Sequence, residues 1–175
     1  PMGNSHLHDI VCDREKGLWM LTEQDGINYL AWHTRHFERF TYADIPEREA
    51  GKGENVVGPL CEDTAGGIWV GTRYGLWKLS KEEHVLRQIP VTAGKNLQIE
   101  VTALWQSRTE LWIGTNGNGL GVMDLASGKI RWYRHSGSMP RTLGSDVVLA
   151  LHQTHRGDMY VGTAWGLCRY NPETD

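Results

Sequence analysis

The sequence predicts an all-β fold built from about four repeats of about four antiparallel strands each. One observation is a motif that occurs four times, in which an aromatic residue is followed by a threonine and then by a glycine. The second is that short apolar runs of strand length flank every copy, with turn residues between them. The third is that no segment of helical length shows a 3.6-residue hydrophobic period.

The repeat is anchored by four aromatic residues about 43 to 50 residues apart, a spacing typical of propeller blades: Trp19, Trp69, Trp112 and Tyr160. A threonine stands three residues after each anchor: Thr22, Thr72, Thr115 and Thr163. A glycine stands between anchor and threonine in all copies but the first, and a further glycine follows each threonine. We therefore expect a single partial β-propeller domain over residues 1–175, with repeats at approximately 6–54, 55–97, 98–142 and 143–175.

Each repeat supplies short β-prone runs before the anchor, at the anchor and after the last glycine of the motif, and three of the repeats add a final run. The last repeat stops near its third strand, after Pro172. A small sheet that is apolar on both faces cannot bury its side chains alone, so the units must stack. We expect the anchor to lie between neighbouring sheets, the first glycine to permit close approach, and the threonine hydroxyl to bind a backbone group. Radial stacking, as in a propeller, is favoured over a linear array.

Composition argues against several functions. The chain has 18 Lys and Arg against 21 Asp and Glu, and the basic residues are scattered, so we expect no nucleic-acid partner. No apolar run approaches the ~20 residues that a membrane-spanning helix needs, so we expect no membrane contact by this segment. The three cysteines, Cys12, Cys61 and Cys168, form no metal-finger pattern, and their redox state is open.

No pattern of catalytic residues is present. The sequence lacks a nucleophile elbow, a phosphate-binding glycine loop and a zinc-protease helix motif, so this segment is not predicted to be an enzyme. The pairs His6/His8 and His33/His36 lack a third partner, and we predict neither a metal site nor a cofactor.

The candidate ligand-binding residues lie in the loops that join second to third strands. In a propeller these loops share one face with the loops that lead from each fourth strand to the next blade. The candidates combine aromatic, amide and guanidinium groups, which suit the apolar faces and hydroxyl edges of sugars: Gln24, Asp25, Arg73, Tyr74, Asn116, Asn118 and Trp165. The alternative for Asp25, Asn116 and Asn118 is that they only supply turn conformations.

One stretch carries a recognisable family pattern. Residues 62–76, Glu-Asp-Thr-Ala-Gly-Gly-Ile-Trp-Val-Gly-Thr-Arg-Tyr-Gly-Leu, resemble the two-component regulator propeller repeat. The ending Gly166-Leu-Cys-Arg-Tyr-Asn-Pro-Glu-Thr174 is similar to its third strand and following turn, and residues 133–135 and 141–146 resemble its linker. The copies depart from the pattern at Leu21 in place of glycine, at Ser107 in place of the acidic turn and at Tyr160 in place of tryptophan.

This resemblance implies a periplasmic, ligand-sensing segment of a hybrid two-component system or sensor histidine kinase, with an oligosaccharide or another small molecule as the ligand. Propellers of that family have about seven blades, so it also implies a piece of a larger propeller. Unpaired blade edges would favour self-association. The alternatives are a protein-binding scaffold without a small ligand and a propeller lyase or hydrolase.

Overall fold

The structure is a computed structural model that describes residues 7–22, 26–31, 37–40, 57–81, 85–92, 99–139 and 141–174. Within these ranges the chain forms fifteen β-strands and one short 3-10 helix, Pro172–Thr174, and no α-helix. No helix in the described ranges is long and apolar enough to span a membrane. The all-β prediction is therefore confirmed.

The strands follow one another in chain order as four antiparallel sheets, which we call blades 1 to 4. Blade 1 contains β1 Leu7–Cys12, β2 Leu18–Thr22, β3 Gly26–Leu30 and β4 Phe37–Phe40. Blade 2 contains β5 Val57–Glu62, β6 Ile68–Thr72, β7 Gly75–Leu79 and β8 Leu86–Ile89. Blade 3 contains β9 Val101–Gln106, β10 Glu110–Thr115, β11 Leu120–Asp124 and β12 Ile130–Tyr133. Blade 4 contains β13 Val148–Gln153, β14 Met159–Thr163 and β15 Gly166–Arg169.

The chain divides into two compact units, Pro1–Ile89 with blades 1 and 2 and Pro90–Asp175 with blades 3 and 4. Among the described residues, three blades have four strands and blade 4 has three.

Every blade has two faces, because successive side chains of a strand point to opposite sides. We call the face with the aromatic anchor the trailing face and the opposite one the leading face. In the first unit, Trp19, Leu21 and Ile27 on the trailing face of blade 1 share one core with the leading face of blade 2. The buried residues that blade 2 contributes are aliphatic, Leu60, Ile68, Val70 and Leu79, and its partly buried Trp77 and Leu86 pack against them.

The second unit repeats this arrangement. Trailing-face residues Trp112, Leu120 and Val122 of blade 3 share a core with leading-face residues of blade 4, which are Val148, Met159 and Val161. The Thr102 hydroxyl of blade 3 donates a hydrogen bond of 2.5 Å to the Val148 carbonyl of blade 4. A Cβ added at Gly114 would lie 2.8 Å from the Val148 side chain, so this glycine allows the two sheets to approach closely.

The anchors differ in burial. Trp19, Trp69 and Trp112 are buried, whereas Tyr160 of blade 4 is only partly buried. Truncating a buried Trp lowers the free energy of unfolding by about 3–5 kcal/mol. The three indoles therefore contribute strongly to the stability of the fold.

An acidic turn supports the anchor in both blades of the first unit. The Asp13 carboxylate accepts hydrogen bonds from the backbone N–H of Glu15 and Gly17 and from the Trp19 indole Nε1. The Asp63 carboxylate accepts the N–H of Ala65 and Gly67 and pairs with Lys78 at 2.5 Å.

The surroundings of the Asp63 carboxylate act on its pKa in opposite directions. Burial alone would raise the pKa, but the hydrogen bonds from Lys78 and from the Gly67 and Ala65 N–H groups outweigh it and lower the pKa below its ordinary value. The Lys78 ammonium also lies over the Trp69 ring, 4.6 Å from its centroid.

Blade 3 lacks this support. Ser107 stands at the turn, and its hydroxyl accepts hydrogen bonds from the N–H groups of Thr109 and Glu110. In the part of the chain that the structure describes, the buried Nε1 of Trp112 has no hydrogen-bond partner. The missing carboxylate in the sequence of blade 3 therefore leaves a polar atom of its anchor unsatisfied.

Candidate ligand-binding site

The turn between the second and third strands is built in the same way in all four blades. The repeat threonine donates its hydroxyl to the carbonyl of a glycine that begins the third strand or, in blade 3, directly precedes it, at 2.6 to 3.1 Å. The pairs are Thr22 with Gly26, Thr72 with Gly75, Thr115 with Gly119 and Thr163 with Gly166. The four glycines have positive φ, a region that favours glycine over residues with a side chain.

The same hydroxyls also accept backbone N–H groups from the candidate residues. The N–H of Tyr74 donates to Thr72 at 2.9 Å, that of Asn118 to Thr115 at 3.1 Å, and that of Trp165 to Thr163 at 3.3 Å. Thr72, Thr115 and Thr163 thus each tie both sides of their turn together. The side chains presented at the turn are held by a closed backbone rather than by a free loop.

In the second unit, the connection that leads into blade 4 joins two of these turns. The Asp146 carbonyl accepts the N–H groups of Gly117 and Gly119, and the Val147 carbonyl accepts the N–H of Ala164. The turns of blades 3 and 4 therefore lie on either side of residues 144–147. This arrangement brings Asn116, Asn118 and Trp165 to one end of the two blades.

Trp165 is the most exposed large hydrophobic residue among those described, at 84%. The Trp165 side chain therefore offers an exposed apolar surface at this end of the two blades. The Asn116 side chain is oriented by a hydrogen bond of 2.9 Å from its Nδ2 to Glu100 Oε2.

The candidates of the first unit form a separate group. Arg73 is exposed and Tyr74 is half-buried at the turn of blade 2, where Gln88 Nε2 donates to the Tyr74 carbonyl at 3.3 Å. Gln24 and Asp25, predicted at the corresponding turn of blade 1, lie outside the described residues.

Sequence reasoning missed two acidic residues of the second unit. Glu100 orients Asn116, and Asp146 accepts the His135 N–H at 2.7 Å through its carboxylate. Both lie in segments that lead into a first strand, which the sequence places on the same face as the candidate turns. Their position in these segments is the sequence signal that points to them.

Within the described ranges, no cluster of three or more His, Cys, Asp or Glu side chains is placed to hold a metal ion. His6, His33 and His36 lie outside those ranges.

Four antiparallel sheets in chain order, with stacked faces in each unit and an aromatic anchor in every repeat, define a protein of the β-propeller class. No protein-family model matches the sequence, and no curated protein matches it.

Solved structures do resemble it. One is the extracellular domain of a protein described as a hybrid two-component system of B. thetaiotaomicron, 21% identical, with a TM-score of 0.77 over 99% of this chain and 23% of that one. A second such domain from B. thetaiotaomicron is 15% identical, with a TM-score of 0.62 over 98% of this chain and 28% of the other. A catalytically inactive virginiamycin B lyase from Staphylococcus aureus is 10% identical, with a TM-score of 0.68 over 99% and 58%.

The chain spans about a quarter of the length of the two extracellular domains, 23% and 28%. At these identities the similarity establishes a shared propeller fold and no shared activity.

Proposed function

We propose that this chain is a ligand-sensing segment of a two-component signal-transduction regulator, located outside the cytoplasm, and that its ligand is an oligosaccharide. The observation that carries the proposal is the exposed Trp165 in the turn of blade 4, because residues 146–147 join this turn by backbone hydrogen bonds to the turn of blade 3 that carries Asn116 and Asn118. In this role the segment binds and does not catalyse.

The site supports a sugar because it combines a rigid aromatic surface with amide and carboxylate groups at its border. A sugar presents an apolar face to an aromatic ring and hydroxyl groups at its edges. Trp165 would stack on the ring, and Asn118, Asn116 and Glu100 would bind hydroxyl groups. Because the Thr163 and Thr115 hydroxyls fix the turns, little conformational entropy is lost when a ligand binds.

The signalling role is supported by two observations. The motif of residues 62–76 resembles the two-component regulator propeller repeat, and the extracellular domains described above share its fold. A kinase or output domain would then belong to another part of the full-length protein.

Isothermal titration of the chain with a panel of neutral and acidic oligosaccharides tests the proposal. We expect heat from at least one sugar, affinity weakened at least about tenfold by Trp165→Ala, and partial retention by Trp165→Phe, which keeps an aromatic face. Val85→Ala is the matched control, because Val85 is an exposed apolar residue in the turn between β7 and β8, at the opposite end of its blade from the candidate turns.

If no sugar of the panel gave measurable heat, the result would contradict an oligosaccharide ligand and would favour a protein-binding scaffold. An affinity that is unchanged in Trp165→Ala would show that the sugar binds elsewhere than at the turns of blades 3 and 4.

A further inference from the structure

The two asparagines in the turn between β10 and β11 are not required by the conformation of that turn. The residues with positive φ in this turn are Gly117 and Gly119, and neither Asn116 nor Asn118 is among them. A backbone conformation outside the left-handed region is open to most residues. The turn alone therefore does not explain why amide side chains stand there.

The Asn116 side chain binds a segment other than its own turn. Its Nδ2 donates to Oε2 of Glu100, which lies 16 residues earlier, in the stretch that leads into β9. An amide has a second N–H and an acceptor oxygen, and a carboxylate accepts several hydrogen bonds, so this pair has capacity for a further partner. Two neighbouring hydroxyl groups of a sugar are complementary to it, because one donates to the carboxylate and the other accepts from the amide N–H.

Backbone contacts place this pair in one row with the turn of blade 4. The Asn116 N–H donates to the Glu100 carbonyl at 3.0 Å, and Asn116 also forms an antiparallel bridge with Val147. The Val147 carbonyl in turn accepts the N–H of Ala164, the residue before Trp165, at 2.9 Å. Because neighbouring strands lie about 4.8 Å apart, the three steps of this row separate Glu100 from Ala164 by about 14 Å. A single sugar ring does not cover that distance.

We propose that the site has two subsites, an aromatic subsite at Trp165 and a polar subsite at Glu100 and Asn116, and that its ligand is an oligosaccharide long enough to occupy both. This inference rests on the proposed function, since it assigns the length and the recognised groups of the same sugar. The ring at the polar subsite is recognised through two adjacent hydroxyl groups and not through stacking. Both subsites lie on segments that backbone hydrogen bonds already join, so a long sugar binds without the cost of ordering a loop.

The accessibility of the polar subsite does not depend on where the chain stops. Glu100 and Asn116 belong to blade 3, and the segment that leads into blade 4 already lies against their turn, where the Asp146 carbonyl accepts the N–H groups of Gly117 and Gly119. Asn116 is exposed and Glu100 is half-buried beside this segment. The following blade therefore leaves the polar subsite open to a ligand.

Isothermal titration with sugars of increasing length tests the inference. The probe is a homologous series, from monosaccharide to tetrasaccharide, of a sugar that gives heat in the panel described above. The affinity of the wild-type chain should rise with length until both subsites are filled. Asn116→Ala and Glu100→Ala should each weaken binding of the tetrasaccharide about fivefold or more, and should change the affinity of the shortest member that gives heat by less than about twofold. Trp165→Ala should weaken binding of every member.

Glu173→Ala is the matched control for Glu100→Ala. Glu173 carries an exposed carboxylate in the 3-10 helix Pro172–Thr174. This helix follows β15 at the end of blade 4 opposite its candidate turn, where the Tyr170 N–H donates to the Met159 carbonyl. The variant should bind every member of the series as the wild type does. In the two test variants, retained affinity for the shortest member shows that the fold is intact.

The outcomes separate this inference from the proposed function. If the wild type bound the monosaccharide and the tetrasaccharide equally well, or if Asn116→Ala and Glu100→Ala left the tetrasaccharide affinity unchanged or lowered the affinity equally at every length, the two-subsite arrangement would be overturned. A loss of affinity in Trp165→Ala would still support the proposed function in each of those cases. If no sugar gave heat at any length, both would be overturned.

Discussion

The indole Nε1 of Trp19 donates a hydrogen bond of 3.0 Å to the Asp13 carboxylate, and the same atom of Trp112, at the equivalent position of blade 3, has no partner within the described ranges. Two copies of one repeat thus bury the same indole side chain, but only in blade 1 does its N–H donate to a carboxylate. A buried donor without a partner carries the full cost of its desolvation.

This difference predicts unequal effects of one substitution at two sites. Trp19→Phe removes a hydrogen bond to a charged group, whereas Trp112→Phe removes an unsatisfied donor. Both variants lose similar apolar contact, so we expect Trp19→Phe to lower the free energy of unfolding by about 1–3 kcal/mol more than Trp112→Phe. Urea denaturation of the two variants measures the difference, and equal losses would show that the Asp13 contact contributes nothing.

The Asp63 carboxylate predicts a dependence of stability on pH. Its folded-state pKa is lower than its ordinary value of 3.8, so the unfolded chain binds its proton more readily. The stabilisation is therefore fully present above about pH 4 and is lost as the pH falls through the folded-state pKa. Asp63→Asn should be less stable than wild type at pH 6, and the difference should shrink below pH 4.

Lys78→Met serves as the control for that experiment, since it removes the cation that contributes most to lowering the pKa of Asp63. The variant should unfold with a weaker dependence on pH in the same acidic range. A difference between wild type and Asp63→Asn that does not change with pH would contradict the assignment.

The Thr115 hydroxyl donates to the Gly119 carbonyl at 2.6 Å and accepts the Asn118 N–H at 3.1 Å. Thr115→Val keeps the shape of this buried side chain but leaves both backbone groups without that partner. We expect a loss of about 1–3 kcal/mol in the free energy of unfolding, together with weaker binding of any ligand that requires Asn118. Thr109→Val, at an exposed turn of the same blade, should stay within about 0.5 kcal/mol of wild type.

Equivalent glycines of blades 3 and 4 predict a further contrast. A methyl group at Gly114 would lie 2.8 Å from Val148, a side chain of the next blade, whereas one at Gly162 would meet Ala150 of its own blade at 3.3 Å. Gly114→Ala should cost about 1–3 kcal/mol through overpacking, and Gly162→Ala clearly less. Thermal unfolding of the two variants, measured in dilute single-chain conditions, compares them directly.

The recurring features of the fold could be predicted from the sequence because they depend on local pattern. The positions of Trp19, Trp69 and Trp112 locate the second strand of each blade, and the spacing of the motif predicts the four sheets. The threonine turn is equally local, since its two partners lie within four residues.

Features that depend on neighbouring blades could not be predicted in this way. Leu167 and Leu120 have the same place in the motif, and only the three-dimensional structure distinguishes an uncovered residue from a buried one. The contribution of Glu100 and Asp146 to the candidate site depends on contacts between different blade connections, which no motif encodes. The unpaired indole N–H of Trp112 could be predicted in part. The sequence shows Ser107 where blade 1 has the carboxylate, but only the structure shows that no other group replaces it among the described residues.

Blades 1 to 3 each bury an aromatic anchor, Trp19, Trp69 or Trp112, whereas Trp165 lies in solvent, and this contrast in exposure is the central claim. Fluorine NMR of protein labelled with 5-fluorotryptophan, with each resonance assigned by a single Trp→Phe variant, measures it most directly. Resonances of Trp19, Trp69 and Trp112 should show almost no shift between H2O and D2O, and that of Trp165 should show a large one. Solvent-sensitive resonances for the three anchors would contradict the account.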